Sequence, residues 1–181
     1  MRPRPLEQTG LEVSPVGFGS FKIGRNTATK YPAPYDCPSP ASSRQALRRD
    51  TLDLVLIHAH SNELGIVTQT DVVETLLEAR QREEIRCCEL SAKTVTAARQ
   101  ALDWADVLML EYHPDDRRFE PITAEADARG RGVVIKKALA SGHLPADTAI
   151  RFVLQQAGVD SVVVGSLKLD HMRQNVAFAG V

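Results

Sequence analysis

The stretch of sequence that decides the fold is Leu52-Asp53-Leu54-Val55-Leu56-Ile57-His58. From Leu54 onward it is a short apolar run with no polar alternation. Such a run is typical of a strand that is buried on both faces of a parallel sheet. The stretch therefore predicts a parallel sheet, and with it the α/β fold class.

Short apolar runs and amphipathic stretches alternate after this strand, as expected for β/α units around a parallel sheet. Further strands are predicted over 85–90, 107–112, 133–139 and 161–164, and a sixth within 11–21. Helices are predicted over 71–84, around 95–102, over 121–129, around 150–157 and around 172–176.

Three local features refine this pattern. Asp71 followed by Glu74 predicts a reciprocal cap at a helix start. A hairpin is predicted about Thr9-Gly10. Residues 25–45 are rich in proline and serine and have no sustained periodicity, which predicts a loop or linker.

Composition limits the classes of function. The chain has 181 residues, 43% of them hydrophobic, and a formal net charge of −1 from 22 basic and 23 acidic residues. One domain over 1–181 is predicted, with no field to attract nucleic acid or an anionic membrane. No signal-peptide pattern and no apolar run that could span a membrane is seen, so a soluble, cytoplasmic protein is expected.

The three cysteines do not form a disulfide framework. Cys87 and Cys88 are adjacent, and neighbouring residues of a strand point to opposite faces. Cys37 lies far from both in the sequence. Buried free thiols are therefore predicted.

Three stretches, in this order along the chain, resemble aldo-keto reductases. They are Gln8-Thr9-Gly10-Leu11-Glu12-Val13-Ser14-Pro15-Val16-Gly17-Phe18-Gly19, the strand over 52–58, and Ser161-Val162-Val163-Val164-Gly165-Ser166. The resemblance implies a (β/α)8 TIM-barrel type, with about six of eight strands present. It also implies that NADPH or NADH binds at the carboxyl ends of the strands, and that the substrate is a small aldehyde or ketone.

The resemblance identifies His58 as the family's catalytic histidine, which lies beside the proton-donating tyrosine. The family's catalytic Asp, Tyr and Lys have no counterpart, because the proline-rich loop leads directly to Ser43-Arg44-Gln45-Ala46-Leu47-Arg48-Arg49-Asp50, which resembles the helix before the histidine strand. An internal deletion near 40–44 is therefore predicted. Tyr31 and Tyr35 are interpreted as loop residues.

The resemblance also assigns the cofactor contacts. They are Gly19, Ser20, Ser91, Lys136, Lys137, Leu139, Ser141, Ser166, Gln174 and Asn175. By family position, Ser91 lies near the nicotinamide carboxamide, 136–142 is the pyrophosphate loop, and the last three residues hold the adenosine end. His171 stands where many members use arginine for the 2′-phosphate, so NADPH and NADH both stay open.

Three functions follow as hypotheses. The first is NAD(P)H-dependent reduction of an aldehyde or ketone, with activity impaired by the incomplete catalytic tetrad. The second is a non-catalytic nucleotide-binding or interaction protein derived from the same barrel. The third is a metal-dependent hydrolase, since His58 and His60 share one face of a strand. Two missing strands would also leave open sheet edges through which the chain could self-associate.

Overall fold

The computed structural model describes residues 2–18, 40–58 and 62–180. Its strands are β1 (Arg4–Pro5), β2 (Glu12–Val13), β3 (Val16–Phe18), β4 (Leu52–His58), β5 (Ile85–Ser91), β6 (Val107–Glu111), β7 (Gly132–Lys136) and β8 (Ser161–Val164). Its α-helices are α1 (Pro40–Leu47), α2 (Glu63–Gln69), α3 (Val72–Gln81), α4 (Val95–Ala101), α5 (Glu120–Ala128), α6 (Ala146–Leu154) and α7 (Leu169–Phe178). Two short 3-10 turns cover Glu7–Thr9 and Ala140–Gly142.

The strands from β3 to β8 form one curled parallel sheet in the described part of the chain. Their order across the sheet is β3-β8-β7-β6-β5-β4. Strand β3, the first of the six along the chain, therefore pairs with β8, the last along the chain. This is the strand order of a barrel that is cut open between β3 and β4. The predicted fold class is confirmed: the sheet is six strands of a (β/α)8 barrel.

The outer face of the sheet carries the main hydrophobic core, because the helices pack against it. Buried side chains of alternate strand positions form this layer; they are Ile57, Cys88, Leu90, Leu108, Leu110, Ile135 and Val162. The helices contribute Leu76, Ala98, Ile122, Ile150 and Val153. A strand buried in this way on its outer face explains the apolar runs in the sequence.

The inner face carries a smaller apolar cluster that closes one end of the sheet. Leu6, only 1% exposed, packs with Val107 and Val134. A Cβ on Gly132 would lie 2.7 Å from Leu6 Cδ1, so this close approach requires glycine. Because Val107 and Gly132 begin their strands, the β1–β2 hairpin covers the amino-terminal ends and leaves the carboxyl ends for a site.

The structure corrects several predicted element bounds. Helix α2 was not predicted, and α1 begins at Pro40, inside the predicted loop, where proline is favoured in the first helical turn. The predicted strand over 133–139 ends at Lys136, since Lys137 has a φ of 55° that no strand allows. The strand predicted over 107–112 ends at Glu111, and the helix predicted over 121–129 spans Glu120–Ala128.

The predicted reciprocal cap of α3 does not form. The Asp71 side chain makes no capping hydrogen bond; its backbone carbonyl accepts from the Thr75 N–H instead, at 2.8 Å. With φ −82° and ψ 6°, Asp71 lies outside the extended region that a capping side chain needs. The hairpin prediction is confirmed, with Gly10 at a φ of 71° in its turn.

Cys87 and Cys88 are buried free thiols, as predicted, and burial raises the pKa of Cys88 to about 11. Cys37 lies outside the described residues. Among the described helices, none has the length and apolar character that crossing a lipid bilayer requires.

Candidate functional site

Three of the predicted site residues meet at the carboxyl ends of the strands. His58 ends β4 and pairs in register with Ser91, which ends β5. Lys136 ends β7. Its Nζ donates hydrogen bonds to Ser91 Oγ and to the Ala92 carbonyl oxygen, both at 2.8 Å. Since residues paired across parallel strands share a face, these polar groups lie on the inner face of the sheet.

Burial changes the acidity of the Lys136 amine. It lowers the pKa to about 8, and the nearby Glu111 carboxylate only partly opposes this shift. Its neighbour Lys137 is exposed, and its Nζ donates to Glu111 Oε2 at 2.8 Å. The two adjacent lysines therefore have different environments: Lys136 hydrogen-bonds neutral oxygens, and Lys137 forms an ion pair.

A buried carboxyl group lies on the same inner face. Glu89 pairs with Leu56 of β4 in register and is only 1% exposed. Its Oε1 atom has no hydrogen-bond partner among the described residues. Burial raises the pKa of Glu89 to about 7, although the charge of Lys136 acts to lower it. Because burial disfavours the charged form, the Glu89 carboxyl group is largely neutral below pH 7.

The loop after β7, which the resemblance assigns to pyrophosphate, is a tight turn. Lys137, Ala140 and Ser141 all have positive φ angles, of 55°, 44° and 61°. The Gly142 N–H donates to the Leu139 carbonyl at 2.7 Å, and an added Cβ on Gly142 would have no atom within 4 Å. Ser141 is exposed and Leu139 is half-buried, so the turn presents an open surface beside the strand ends.

Of the residues assigned to the adenosine end, Ser166 precedes α7, and Gln174 and Asn175 lie in the second half of this helix. Ser166 Oγ accepts from the Lys168 N–H at 3.1 Å and donates to the Lys168 carbonyl oxygen at 3.2 Å. Gln174 is exposed, whereas Asn175 is buried. Of the two α7 residues, only Gln174 therefore presents its side chain to solvent. Gly19 and Ser20 lie outside the described residues.

Glu63 braces the loop that follows Ser91, a role that the sequence did not indicate. Its two carboxylate oxygens accept from the backbone N–H groups of Lys93 and Thr94, at 2.7 and 2.9 Å, and from Thr94 Oγ1 at 2.8 Å. Glu63 lies in α2, which has no clear sequence signal, so nothing pointed to this contact. The buried carboxylate fixes the backbone at the end of β5.

Replacing Glu63 with alanine should lower the free energy of unfolding by about 2 kcal/mol, because two backbone donors lose a charged acceptor. Chemical denaturation would measure the loss. Glu63→Gln is the matched control and should lose less, since one amide oxygen still accepts. Equal losses in the two variants would contradict this role for the carboxylate.

A second group of titratable side chains lies after β6. One ligand atom each from Glu111, His113 and Asp116 lies within 4.8 Å of the other two. Both carboxylates already form ion pairs, Glu111 with Lys137 at 2.8 Å and Asp116 with Arg118 at 2.9 Å. The predicted metal pair of His58 and His60 is untested, because His60 lies outside the described residues.

The fold and the position of this site together indicate the structural class of the protein. Within the described residues, the chain is six strands of a (β/α)8 barrel, with polar residues collected at their carboxyl ends. Enzymes with this barrel place their active sites at that end.

Comparisons with known proteins agree with this class. No protein-family model and no curated protein matches the sequence. Two structures assigned as an aldo-keto reductase from Pseudomonas aeruginosa are 28% identical to this chain, with TM-scores of 0.84 and 0.86. Each match covers 98% of this chain and 93% of the Pseudomonas chain. The chain is thus related to the aldo-keto reductases, as the sequence resemblance predicted.

An aldo-keto reductase from Klebsiella pneumoniae, solved in complex with NADP and acetate, is also similar. It is 19% identical with a TM-score of 0.61, and the match covers 78% of this chain and 58% of that chain. At this identity the likeness concerns the fold.

Proposed function

We propose that the chain binds NADPH or NADH along the carboxyl ends of its strands and reduces a small aldehyde or ketone. The observation that carries the proposal is the 28% identity to an assigned aldo-keto reductase over 98% of the chain, with His58 and Ser91 paired at the strand ends. NADP bound to the Klebsiella relative supports the nucleotide.

The described residues fit an anionic dinucleotide. The turn over 139–142 is open at Gly142, Ser141 is exposed, and the cationic Lys137 adjoins it. Ser166 and Gln174 would contact the adenosine end, and the Ser91 hydroxyl the carboxamide. Among these groups, Ser91 already accepts from Lys136 and so keeps its own O–H to donate.

When bound, the dinucleotide would supply the hydride for the reduction. The imidazole of His58 would hold the carbonyl oxygen of the substrate in place. Turnover should be slow, because the sequence has no counterpart for the family's proton-donating tyrosine. Aldehydes that accept hydride readily are therefore the preferred substrate class for a first assay.

A fluorescence titration with NADPH tests binding. We expect a Kd that rises about three- to tenfold in Ser166→Ala, which removes one side-chain hydrogen bond. Glu12→Gln is the control, since Glu12 is exposed on β2 at the opposite end of the sheet. Absence of binding at millimolar NADPH and NADH would overturn the proposal.

Oxidation of NADPH in the presence of an aldehyde tests catalysis. His58→Ala should abolish turnover and leave the Kd for NADPH near that of the parent protein. If NADPH binds but no aldehyde or ketone is reduced, the chain is a non-catalytic nucleotide-binding protein, and the reductase proposal fails.

A further inference from the structure

Lys136, which the family resemblance places among the cofactor contacts, takes part in no chemical step of the proposed carbonyl reduction. Its Nζ is held by two neutral acceptors, Ser91 Oγ and the Ala92 carbonyl oxygen. Within the described ranges, no carboxylate lies at ion-pair distance from it. Lys136 is half-buried and is the last residue of β7, so its amine lies at the carboxyl ends of the strands and is partly removed from water.

The charged surroundings do not keep this amine fully protonated. Burial is the largest influence on the Lys136 pKa, which falls to about 8. The carboxylates of Glu111 and Glu63 act to raise the Lys136 pKa, and the charges of Lys137 and Lys93 act to lower it. Lys136 in turn acts to lower the pKa of Glu89. With a pKa of about 8, roughly a tenth of this amine is neutral at pH 7 and about half at pH 8, whereas an ordinary lysine is almost wholly protonated at both.

Glu89 adds a second group on the same face that can exchange a proton near neutral pH. Its Oε1 is buried and has no partner among the described residues. In its neutral form Glu89 places no negative charge beside Lys136, so it does not favour the protonated amine. An amine that is desolvated and hydrogen-bonded to a hydroxyl has the properties of a lysine nucleophile.

We propose that Lys136 is a nucleophilic amine that condenses with small aldehydes or ketones to form a Schiff base at the open end of the sheet. The Nζ electron pair forms a bond to the carbonyl carbon, and the carbonyl π electrons move to the oxygen. That oxygen takes up a proton as Nζ releases one, which gives the carbinolamine. Loss of the hydroxyl group with one further proton, as water, leaves the C=N bond. No oxidant, reductant or dinucleotide is needed for this step.

Lys137 provides a matched internal control, because it is adjacent in sequence but exposed and ion-paired with Glu111. Its Nζ donates to a carboxylate oxygen, Glu111 Oε2, at 2.8 Å, whereas Lys136 Nζ donates to the neutral oxygens of Ser91 and Ala92. The two lysines therefore differ in the property that the proposal requires, and differ little in position.

The test is reductive trapping. The full chain would be incubated at pH 8 with glycolaldehyde and sodium cyanoborohydride, without NADPH, and the labelled lysine identified by peptide mass spectrometry. We expect Lys136 to be labelled at least about tenfold faster than Lys137, with a pH midpoint near 8. Because no dinucleotide is present, the result is independent of the proposed reductase activity.

Two variants complete the test. Lys136→Arg should remove the fast label, and Lys137→Arg should retain it, with circular dichroism confirming that both variants are folded. Labelling of Lys137 as fast as Lys136 in the parent protein would overturn the proposal, and this comparison does not depend on either variant folding. Retention of the fast label in Lys136→Arg would overturn it as well.

Discussion

Replacing Glu89 with glutamine is expected to remove a large pH dependence from the stability of the protein. The pKa of Glu89 is raised by burial from 4.5 to about 7. The folded state therefore holds this proton more tightly than the unfolded state, and stability falls as the pH rises from about 4.5 to about 7. The shift corresponds to about 3 kcal/mol lost above neutral pH.

The measurement is chemical denaturation of the parent and of Glu89→Gln at pH 4.5 and pH 8. At each pH, the unfolding free energy of the parent is subtracted from that of Glu89→Gln. This difference should increase by about 3 kcal/mol from pH 4.5 to pH 8, because only the parent loses stability as Glu89 ionises. Using the difference removes the contributions of other titrating groups. A difference that is the same at both pH values would contradict a buried, ionising Glu89.

Lys136→Met offers a second check on the same group. The positive charge of Lys136 acts to lower the pKa of Glu89. Removing it should move the loss of stability to higher pH, so the two side chains are tested as a coupled pair.

Replacing Phe119 with alanine should destabilise the fold by about 3–5 kcal/mol. Phe119 has an exposed fraction of 0% and belongs to the core between the sheet and the helices. Its carbonyl accepts from the N–H groups of Ile122 and Thr123, which start α5. The alanine variant keeps these backbone hydrogen bonds. The decrease in the free energy of unfolding therefore comes from the cavity that the missing ring leaves in the core.

Thermal and chemical denaturation would measure the effect of Phe119→Ala. Leu167→Ala is the control, since Leu167 is 75% exposed and its removal should change stability by less than about 0.5 kcal/mol. A loss for Phe119→Ala as small as that of Leu167→Ala would contradict its place in the core.

Most of the sheet could be predicted from the sequence because its strands are buried. An apolar run such as Ser161–Val164 has little alternation to confuse its assignment, and the structure has this strand at the predicted bounds. Helices were harder to delimit. The run Glu63–Gln69 mixes polar and apolar residues, and its start has no side-chain cap, so local chemistry did not mark α2.

The candidate site was predicted only in its components. The sequence and the resemblance named Ser91 and Lys136, but not the hydrogen bond between them, because it joins residues 45 positions apart. Lys136 was expected to reach phosphate; in the structure its amine donates to Ser91 Oγ and the Ala92 carbonyl oxygen instead. Glu63 was missed altogether. Contacts of this kind depend on strand register, which sequence periodicity does not fix.

The gap between β3 and β4 bears on two further predictions. Within the described residues, these strands form the two edges of the sheet, and Leu56 on β4 is 42% exposed. The predicted deletion near 40–44 and self-association through the sheet edges both concern this gap. They stay predictions.

The pairing of β3 with β8 also constrains how the chain is assembled during synthesis. Ser161 Oγ donates to the Ser14 carbonyl oxygen at 2.8 Å, across 147 positions of sequence. Ser14 leaves the ribosome long before Ser161 is synthesised, so β3 cannot pair with β8 until the end of synthesis. Strands β4 to β7 can pair with one another before that point. Contacts of such high sequence separation slow folding, because the chain entropy is lost before the contact forms. The β3–β8 seam is therefore expected to close last, as the slow step of folding.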